Sequence, residues 1–132
     1  MSPLSLFHPA SPSGHAAIFS ECRTWRYALE RRWSKGPFVL FVGLNPSTAD
    51  EHVDDPTIRR CIGFAKAWGF GGLLVGNLFA YRSTDPAALK GVDDPVGPDA
   101  DVWLTTLSVR SALTVAAWGA HPMVVRRERP AT

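Results

Sequence analysis

A run of five apolar residues at positions 38–42 restricts the possible folds of this chain more than any other stretch. Its letters are FVLFV, and Gly43 follows it. Since the run does not alternate between apolar and polar residues, it is typical of a strand buried on both faces, as in a parallel sheet covered by helices. Ligands of such sheets bind beyond the carboxyl ends of the strands. We therefore expect a binding site immediately after Gly43.

The polar turn after this strand contains the first candidate site residue, Asn45. Gly43 leaves no side chain between the end of the strand and a bound ligand. Pro46 fixes its own φ and restricts Asn45 to extended geometry. The turn thus predicts a preorganised amide at the mouth of a cleft.

Two further buried strands are predicted, at positions 73–79 and 113–118. Asn77 interrupts the first of these two strands. A buried amide without hydrogen-bond partners costs about 1–3 kcal/mol, so Asn77 is either bonded to the backbone or held ready for a ligand. The sequence leaves both alternatives open.

The acidic loop at positions 50–55 permits two interpretations. Its four carboxylates and His52 are compatible with a divalent metal site. We favour a helix N-terminus instead, because Asp55 precedes Pro56 and acidic residues are stabilised beside the positive end of a helix. The helix that follows has one apolar face and is expected to end at Gly69. No metal site is predicted.

An antiparallel hairpin is predicted before the first buried strand, at positions 16–33. Trp25, Tyr27 and Leu29 alternate with polar or small residues, a pattern that favours a strand. The arginines among these residues are interpreted as a solvated face of the hairpin. They stand at positions 23, 26, 31 and 32.

Two more helices are expected before the last strand. Asp85 and Pro86 cap a short helix that ends at Gly91, and Gly97 and Pro98 open another. Helices that connect buried strands indicate the α/β class. We predict a three-layer sandwich around a short parallel sheet of three strands, with the hairpin preceding it.

The length of 132 residues fits one domain with a proper core. Charged residues make up 20% of the chain and hydrophobic residues 45%, which is ordinary for a folded protein. We expect a single α/β domain at 16–122, between a flexible N-terminal arm at 1–15 and a basic tail at 123–132.

Location, cofactors and partners are only partly constrained. No apolar run approaches the roughly 20 residues that span a bilayer, and no signal peptide is recognisable, so a cytoplasmic protein without membrane contact is predicted. Cys22 and Cys61 lack the spacing of a zinc or redox site, and no cofactor is predicted. The net charge of +2 is too small to indicate a nucleic-acid partner, although it would not repel one.

Four segments, in this order, resemble an uncharacterised family called "domain of unknown function 1643" (DUF1643). The resemblance extends from about Phe19 to His121, and it brings no activity with it. The segments are GLNPSTAD at 43–50, DPTIRRC at 55–61, NLFA at 77–80 and DPVGP at 94–98.

Three strand ends are also similar to those of the uracil-DNA glycosylase superfamily. GLNP at 43–46 resembles the first motif of that superfamily, whose acidic or amide residue positions the attacking water. LVGN at 74–77 is similar to the strand whose last asparagine reads the flipped base, and AAWGAH at 116–121 resembles the third strand. The resemblance implies that Asn45 is the catalytic residue that positions water, and that Asn77 binds the base.

The implied reaction is hydrolysis of an N-glycosidic bond in DNA. Such a reaction passes through an oxocarbenium-like sugar, so the site must orient a water and stabilise the departing base. Asn45 can accept a hydrogen bond from water but cannot act as a general base. Asn77 offers an adjacent donor and acceptor, for which uracil is the simplest fit, although the amide could rotate for another base.

Other residues are implied as substrate-binding by the same resemblance. Ser47 and Thr48, with the backbone N–H groups of the turn, either hold a phosphate or the abasic sugar or simply close the turn. Gly43 and Pro46 shape this part of the predicted site. His121 follows the third strand, where the superfamily has a histidine.

The chain departs from the superfamily after the third strand. The glycosylases have a fourth strand that ends in a His-Pro-Ser-like loop, and nothing here supplies it. The chain therefore looks truncated, and the alternative to an active glycosylase is an inactive truncated paralogue. The strand at 113–118 would then form an exposed sheet edge, which a partner or a second copy would cover.

Three classes of function remain open. The first is a glycosylase-like enzyme that acts on a base in DNA. The second is a module that binds a nucleotide or a single strand without chemistry. The third is a small-ligand α/β domain unrelated to DNA.

Overall fold

A mixed sheet of five strands forms the centre of the computed structural model, which describes residues 14–119. The elements in chain order are β1 (His15–Phe19), β2 (Arg26–Arg32), β3 (Phe38–Gly43), α1 (Pro56–Ala67), β4 (Gly72–Asn77), a 3₁₀ helix (Pro86–Gly91), α2 (Ala100–Arg110) and β5 (Leu113–Ala116). The strands lie in the order β1-β2-β4-β3-β5.

The apolar run of β3 lies between two parallel neighbours. β4 pairs with it on one side, from Phe38 opposite Gly72 to Gly43 opposite Asn77, and β5 pairs with it on the other side. The three parallel strands predicted from the sequence are therefore present, but the expectation that all three are buried is wrong for β5, whose residues are mostly exposed. β4 ends at Asn77, so this amide terminates the strand and does not interrupt it.

The predicted hairpin is present, but the expectation that it precedes a separate sheet of three parallel strands is wrong. β1 and β2 pair antiparallel, and β2 also pairs antiparallel with β4. The sheet is therefore mixed and has five strands. The physical reason is that β4 would otherwise leave a row of backbone groups unpaired, and β2 covers that edge.

Two helices cover opposite faces of the sheet. Successive side chains of each strand point to alternate faces, so each helix contacts every second residue of β3. Val39 and Phe41 pack with the apolar side of α1, whereas Leu40 and Val42 pack with Leu107 of α2. This arrangement has the three layers expected of an α/β fold.

The helix starts predicted at Pro56 and Pro86 are confirmed, whereas the third helix, expected to open at Gly97 and Pro98, begins at Ala100. Asp55 caps α1, since its Oδ1 accepts a hydrogen bond of 2.9 Å from the N–H of Ile58. Asp85 caps the 3₁₀ helix in the same way. α1 ends just before Gly69, whose φ of +85° lies in the left-handed region that glycine adopts without strain.

The interpretation of all the hairpin arginines as a solvated face is wrong for two of them. Arg26 is 2% exposed and Arg31 is 1% exposed. Nε of Arg31 donates a hydrogen bond of 2.8 Å to Asp54, and its Nη atoms donate to backbone carbonyls. An isolated hairpin would leave one face to water, whereas β2 is an interior strand of the sheet, so these side chains are enclosed.

β5 is an edge strand of the sheet that residues 14–119 form, and most of its residues are exposed. No helix in this part of the chain is both long enough and apolar enough to cross a bilayer. The predicted N-terminal arm, apart from its last two residues, the basic tail and His121 lie outside the described residues.

Candidate functional site

A cleft of about 240 Å³ opens at the carboxyl ends of the parallel strands, where the sequence predicted a site. Gly43 ends β3, Asn77 ends β4, and Ala117 directly follows β5. The described residues that line the cleft are Arg26, Phe41, Gly43, Leu44, Asn45, Ser47, Asp55, Thr57, Ile58, Cys61, Val75, Asn77, Pro86 and Ala117.

The Asn45 carboxamide is fixed through its nitrogen. Nδ2 donates to the carbonyl oxygen of Ser83 at 3.0 Å and to that of Pro46 at 3.2 Å, and the carbonyl of Tyr81 lies at 3.5 Å. These contacts use both hydrogens of the amide. Oδ1 has no hydrogen bond to the residues at 14–119, so Asn45 brings an uncommitted acceptor to the cleft.

The Asn77 carboxamide is fixed through its oxygen. Oδ1 accepts a hydrogen bond of 3.3 Å from Nη2 of Arg26. Nδ2 lies beside Gly43, where a Cβ atom would be only 2.9 Å from it. Nδ2 has no hydrogen bond within the described part of the chain, so Asn77 brings an uncommitted donor to the cleft.

Arg26 is a site residue that the sequence analysis missed. Nη1 donates to the carbonyl of Ala49 at 3.0 Å, while Nε is buried and has no hydrogen-bond partner among residues 14–119. Burial lowers the pKa of Arg26 to about 10, and the nearby carboxylate of Asp55 opposes this shift. The guanidinium is therefore still charged at neutral pH. Recognising Arg26 from the sequence would have required knowing that β2 is an interior strand.

The two titratable groups that line the cleft beside Arg26 are not poised as bases. Asp55 uses both oxygens structurally, because Oδ1 caps α1 and Oδ2 accepts a hydrogen bond of 3.2 Å from the N–H of Ala49. Burial raises the pKa of the Cys61 thiol, which stays protonated at neutral pH. The chemistry available to the described lining is therefore hydrogen bonding and positioning.

Apolar walls complete the cleft. Phe41, Ile58 and Val75 line it, and all three belong to the core between the sheet and α1. At about 30 Å³ per water, the volume equals that of about eight waters, which leaves room for a single heterocyclic ring. Apolar walls with a few oriented polar groups are typical of small-molecule sites.

The structure brings only part of the predicted site together. Gly43, Asn45, Ser47 and Asn77 line one cleft. Thr48 is exposed and Pro46 is fully buried, and neither lines the cleft. The roles assigned to these residues remain predictions.

The carboxylates of the acidic loop are engaged in structural contacts. Asp50 accepts hydrogen bonds from the N–H groups of His52 and Val53, which lower its pKa. Glu51 forms an ion pair of 2.8 Å with Arg23. Within residues 14–119 no group of three or more potential ligands is placed to hold a metal ion.

Comparison with curated proteins and with solved structures gave no match. The likeness of three strand ends to the uracil-DNA glycosylase superfamily thus stays a prediction from sequence. A family model described as "Protein of unknown function (DUF1643)" matches residues 26–131, which include every described residue that lines the cleft. The chain therefore belongs to the DUF1643 family.

Proposed function

We propose that this protein recognises a nucleobase of DNA in the cleft between Asn45 and Asn77 and hydrolyses its N-glycosidic bond. The observation that carries the proposal is the pair of fixed carboxamides. Asn45 brings an acceptor to the cleft and Asn77 brings a donor. The Watson–Crick edge of a base carries donors and acceptors side by side, so complementary groups in one small cleft suit it.

The walls and volume of the cleft favour a single ring. Phe41, Ile58 and Val75 supply apolar contact for a ring face. The volume of about 240 Å³ lies below the 300–1,000 Å³ that is typical of sites for drug-sized ligands. A pyrimidine base that has left the helical stack fits this space better than a whole nucleotide does.

The proposed hydrolysis depends on positioning. Oδ1 of Asn45 would accept a hydrogen bond from water and hold it for attack on the sugar carbon. Neither Asp55 nor Cys61 is available to remove the proton of that water, for the reasons given above. The N-glycosidic bond would therefore break first, and its electron pair would leave with the base as an anion. Water would then add to the oxocarbenium-like sugar and pass its proton to the departed base or to bulk water.

The nearby turn supports contacts beyond the base. Ser47 lines the cleft and Thr48 is exposed next to it. Their hydroxyls would contact the sugar or a phosphate of the DNA strand.

A second candidate function is base or nucleotide binding without chemistry. The engaged oxygens of Asp55 favour it, since the cleft then contains no described carboxylate that can act as a base. In this case the two amides serve recognition alone.

The test measures base release and binding in the same samples. The full chain is incubated with single-stranded and double-stranded oligonucleotides that carry one uracil, and alkali-labile sites are counted. We expect release by the wild type, loss of release with retained binding in Asn45→Ala, and weaker binding in Asn77→Ala. Thr105→Ala, an exposed change on α2, serves as the control and should behave as the wild type does.

Each outcome separates the candidates. Binding without release in the wild type supports the second candidate over the first. If uracil-containing DNA and uracil-free DNA bind equally weakly, and Asn77→Ala changes neither, the nucleobase proposal is wrong.

A further inference from the structure

We infer that Arg26 determines which bases the cleft accepts, by holding Asn77 so that its donor and not its acceptor faces the ligand. The ligand must then present an acceptor to Nδ2 of Asn77, and at position 4 of a pyrimidine ring uracil has a carbonyl oxygen where cytosine has an amino group. This inference rests on the proposed function, and it names the substrate class as oxo bases of the uracil type, as opposed to amino bases of the cytosine type.

The guanidinium of Arg26 can only donate hydrogen bonds. Its Nη2 atom lies 3.3 Å from Oδ1 of Asn77, so the oxygen of the amide must face the guanidinium. A free asparagine rotates by 180° about its last bond at little cost. In this structure the rotated amide would bring Nδ2 against Nη2, two donors in a buried place.

The guanidinium of Arg26 is itself held in place. Arg26 is 2% exposed, and its Nη1 atom donates to the carbonyl of Ala49 at 3.0 Å. The β2 strand fixes its backbone between β1 and β4. The positive charge therefore keeps its position while a ligand enters or leaves.

The nitrogen of the Asn77 amide is confined as well. Nδ2 of Asn77 lies beside Gly43, which has no side chain to accept a hydrogen bond. An oxygen of the ligand is the partner that this donor lacks. If the base carries an amino group at that position, two hydrogen-bond donors face each other and Nδ2 of Asn77 stays unpaired.

Discrimination by such a donor is expected to be strong. Sites that hydrogen-bond one substrate group reject analogues lacking it far better than apolar pockets reject a changed shape. Arg26 is a positioning residue in this scheme, since it acts on the ligand through Asn77.

The experiment compares the binding of 2′-deoxyuridine 5′-monophosphate and 2′-deoxycytidine 5′-monophosphate to the full chain. The two ligands share the sugar and the phosphate, so the ratio of their dissociation constants isolates the base. We expect the wild type to prefer the uridine nucleotide by about tenfold or more. We expect Arg26→Met to reduce this preference to about twofold or less, because the amide of Asn77 is then free to rotate.

Conservative and control variants separate positioning from folding. Arg26→Lys keeps a donor near Oδ1 and should retain part of the preference. Arg32→Met removes an exposed arginine of the same strand and should leave the ratio unchanged. If Arg26→Met weakens both nucleotides equally and leaves the ratio as it was, Arg26 is only structural and the inference is wrong.

A second measurement uses the wild type alone, so it holds even if Arg26→Met does not fold. The chain contains two asparagines and no glutamine. A proton–nitrogen correlation NMR spectrum therefore shows two pairs of carboxamide NH₂ signals, one pair for each asparagine. The uridine nucleotide should shift the Asn77 pair and the cytidine nucleotide should not. Equal shifts of that pair by both ligands overturn the inference.

Failure of the inference differs from failure of the proposed function. A wild type that binds both nucleotides without preference keeps the nucleobase site but removes the role of Arg26. A wild type that binds neither nucleotide, and no uracil-containing DNA, removes the nucleobase site and the inference together.

Discussion

Nδ2 of Asn77 occupies space that exists only because residue 43 is glycine. A Cβ atom at position 43 would lie 2.9 Å from this nitrogen, closer than side-chain carbons normally approach. The residue that ends β3 and the residue that ends β4 are thus matched across the strand pair, since Gly43 stands opposite Asn77 in the register. The absence of a side chain at one position leaves room for the amide at the other.

Gly43→Ala is therefore predicted to damage the site more than the fold. Asn77 cannot retreat easily, because Arg26 holds its oxygen. Overpacking of this kind costs about 1–3 kcal/mol, and we expect the lower end because the contacted atom ends a side chain. Binding of 2′-deoxyuridine 5′-monophosphate should weaken by about tenfold, which equals about 1.4 kcal/mol.

Gly63→Ala is the matched control for this change. Gly63 lies in α1, and a Cβ atom there would have no heavy atom of the described residues within 4 Å. Alanine should increase the free energy of unfolding by about 1 kcal/mol through helix propensity, with nucleotide binding unchanged. Unaltered binding in Gly43→Ala would show that the amide of Asn77 has more freedom than the contacts indicate.

Asp55 should prove to be a structural carboxylate and not a metal ligand. Asp55→Ala removes the acceptor of the Ile58 N–H and that of the buried Ala49 N–H. We expect a loss of about 2–4 kcal/mol in the free energy of unfolding, from the lost cap and the unsatisfied donor. Asp55→Asn keeps one acceptor and should cost about half as much.

The measurement is urea denaturation of these variants, with and without a chelator. We expect the chelator to leave the midpoints unchanged. A fall in the wild-type midpoint on chelation, absent in Asp55→Ala, would instead indicate a bound metal.

Two neighbouring arginines of β2 should differ sharply in their contribution to stability. Arg31 is buried and pairs with Asp54 at 2.8 Å, whereas Arg32 is exposed and lies over the ring of Phe38. Arg31→Ala leaves the carboxylate of Asp54 and several backbone carbonyls without a hydrogen-bond donor, and should lower the free energy of unfolding by about 3–5 kcal/mol. Arg32→Ala should cost less than about 1 kcal/mol. Equal losses in thermal or urea unfolding would contradict the assignment of burial.

The thiol of Cys22 should react with alkylating agents at a lower pH than an ordinary cysteine does. Its Sγ lies 3.5 Å from Oγ of Ser20 and 3.2 Å from Oγ1 of Thr24, and these hydroxyls lower its pKa to about 7. The thiolate is the reactive form, so the alkylation rate should rise through about pH 7 and level off above it.

Ser20→Ala should move this midpoint upward, because the Ser20 hydroxyl is the largest cause of the shift. Cys61 serves as the internal control. It is largely buried and its pKa is raised, so it should react much more slowly than Cys22 at neutral pH. A midpoint for Cys22 near the ordinary thiol value of about 8.5 would contradict this prediction.

Local signals explain why much of the fold could be predicted. The unalternated run before Gly43 indicated a strand with covered faces, and the Asp-Pro pairs indicated helix starts at Pro56 and Pro86. Strand burial and capping depend on residues close together in the chain, so a single sequence contains the information. The position of Asn45 and Asn77 after neighbouring parallel strands also brought both to one edge of the sheet.

Contacts between distant segments decided the rest. No local pattern indicates that β2 pairs with β4, since strand order depends on which edges remain unpaired after the whole sheet has formed. That pairing encloses Arg26 and brings it within hydrogen-bond distance of Asn77, which is 51 positions away.

The sequence by itself determined where most strands and helices lie and that Asn45 follows a buried strand, because these follow from periodicity and backbone restriction. Only the tertiary structure decided the orientation of each amide. Asn45 is held by carbonyl groups of the segment after β4, and Asn77 by a guanidinium from β2. An isolated asparagine has no preferred orientation of its amide, so the groups that surround it in the fold must supply one.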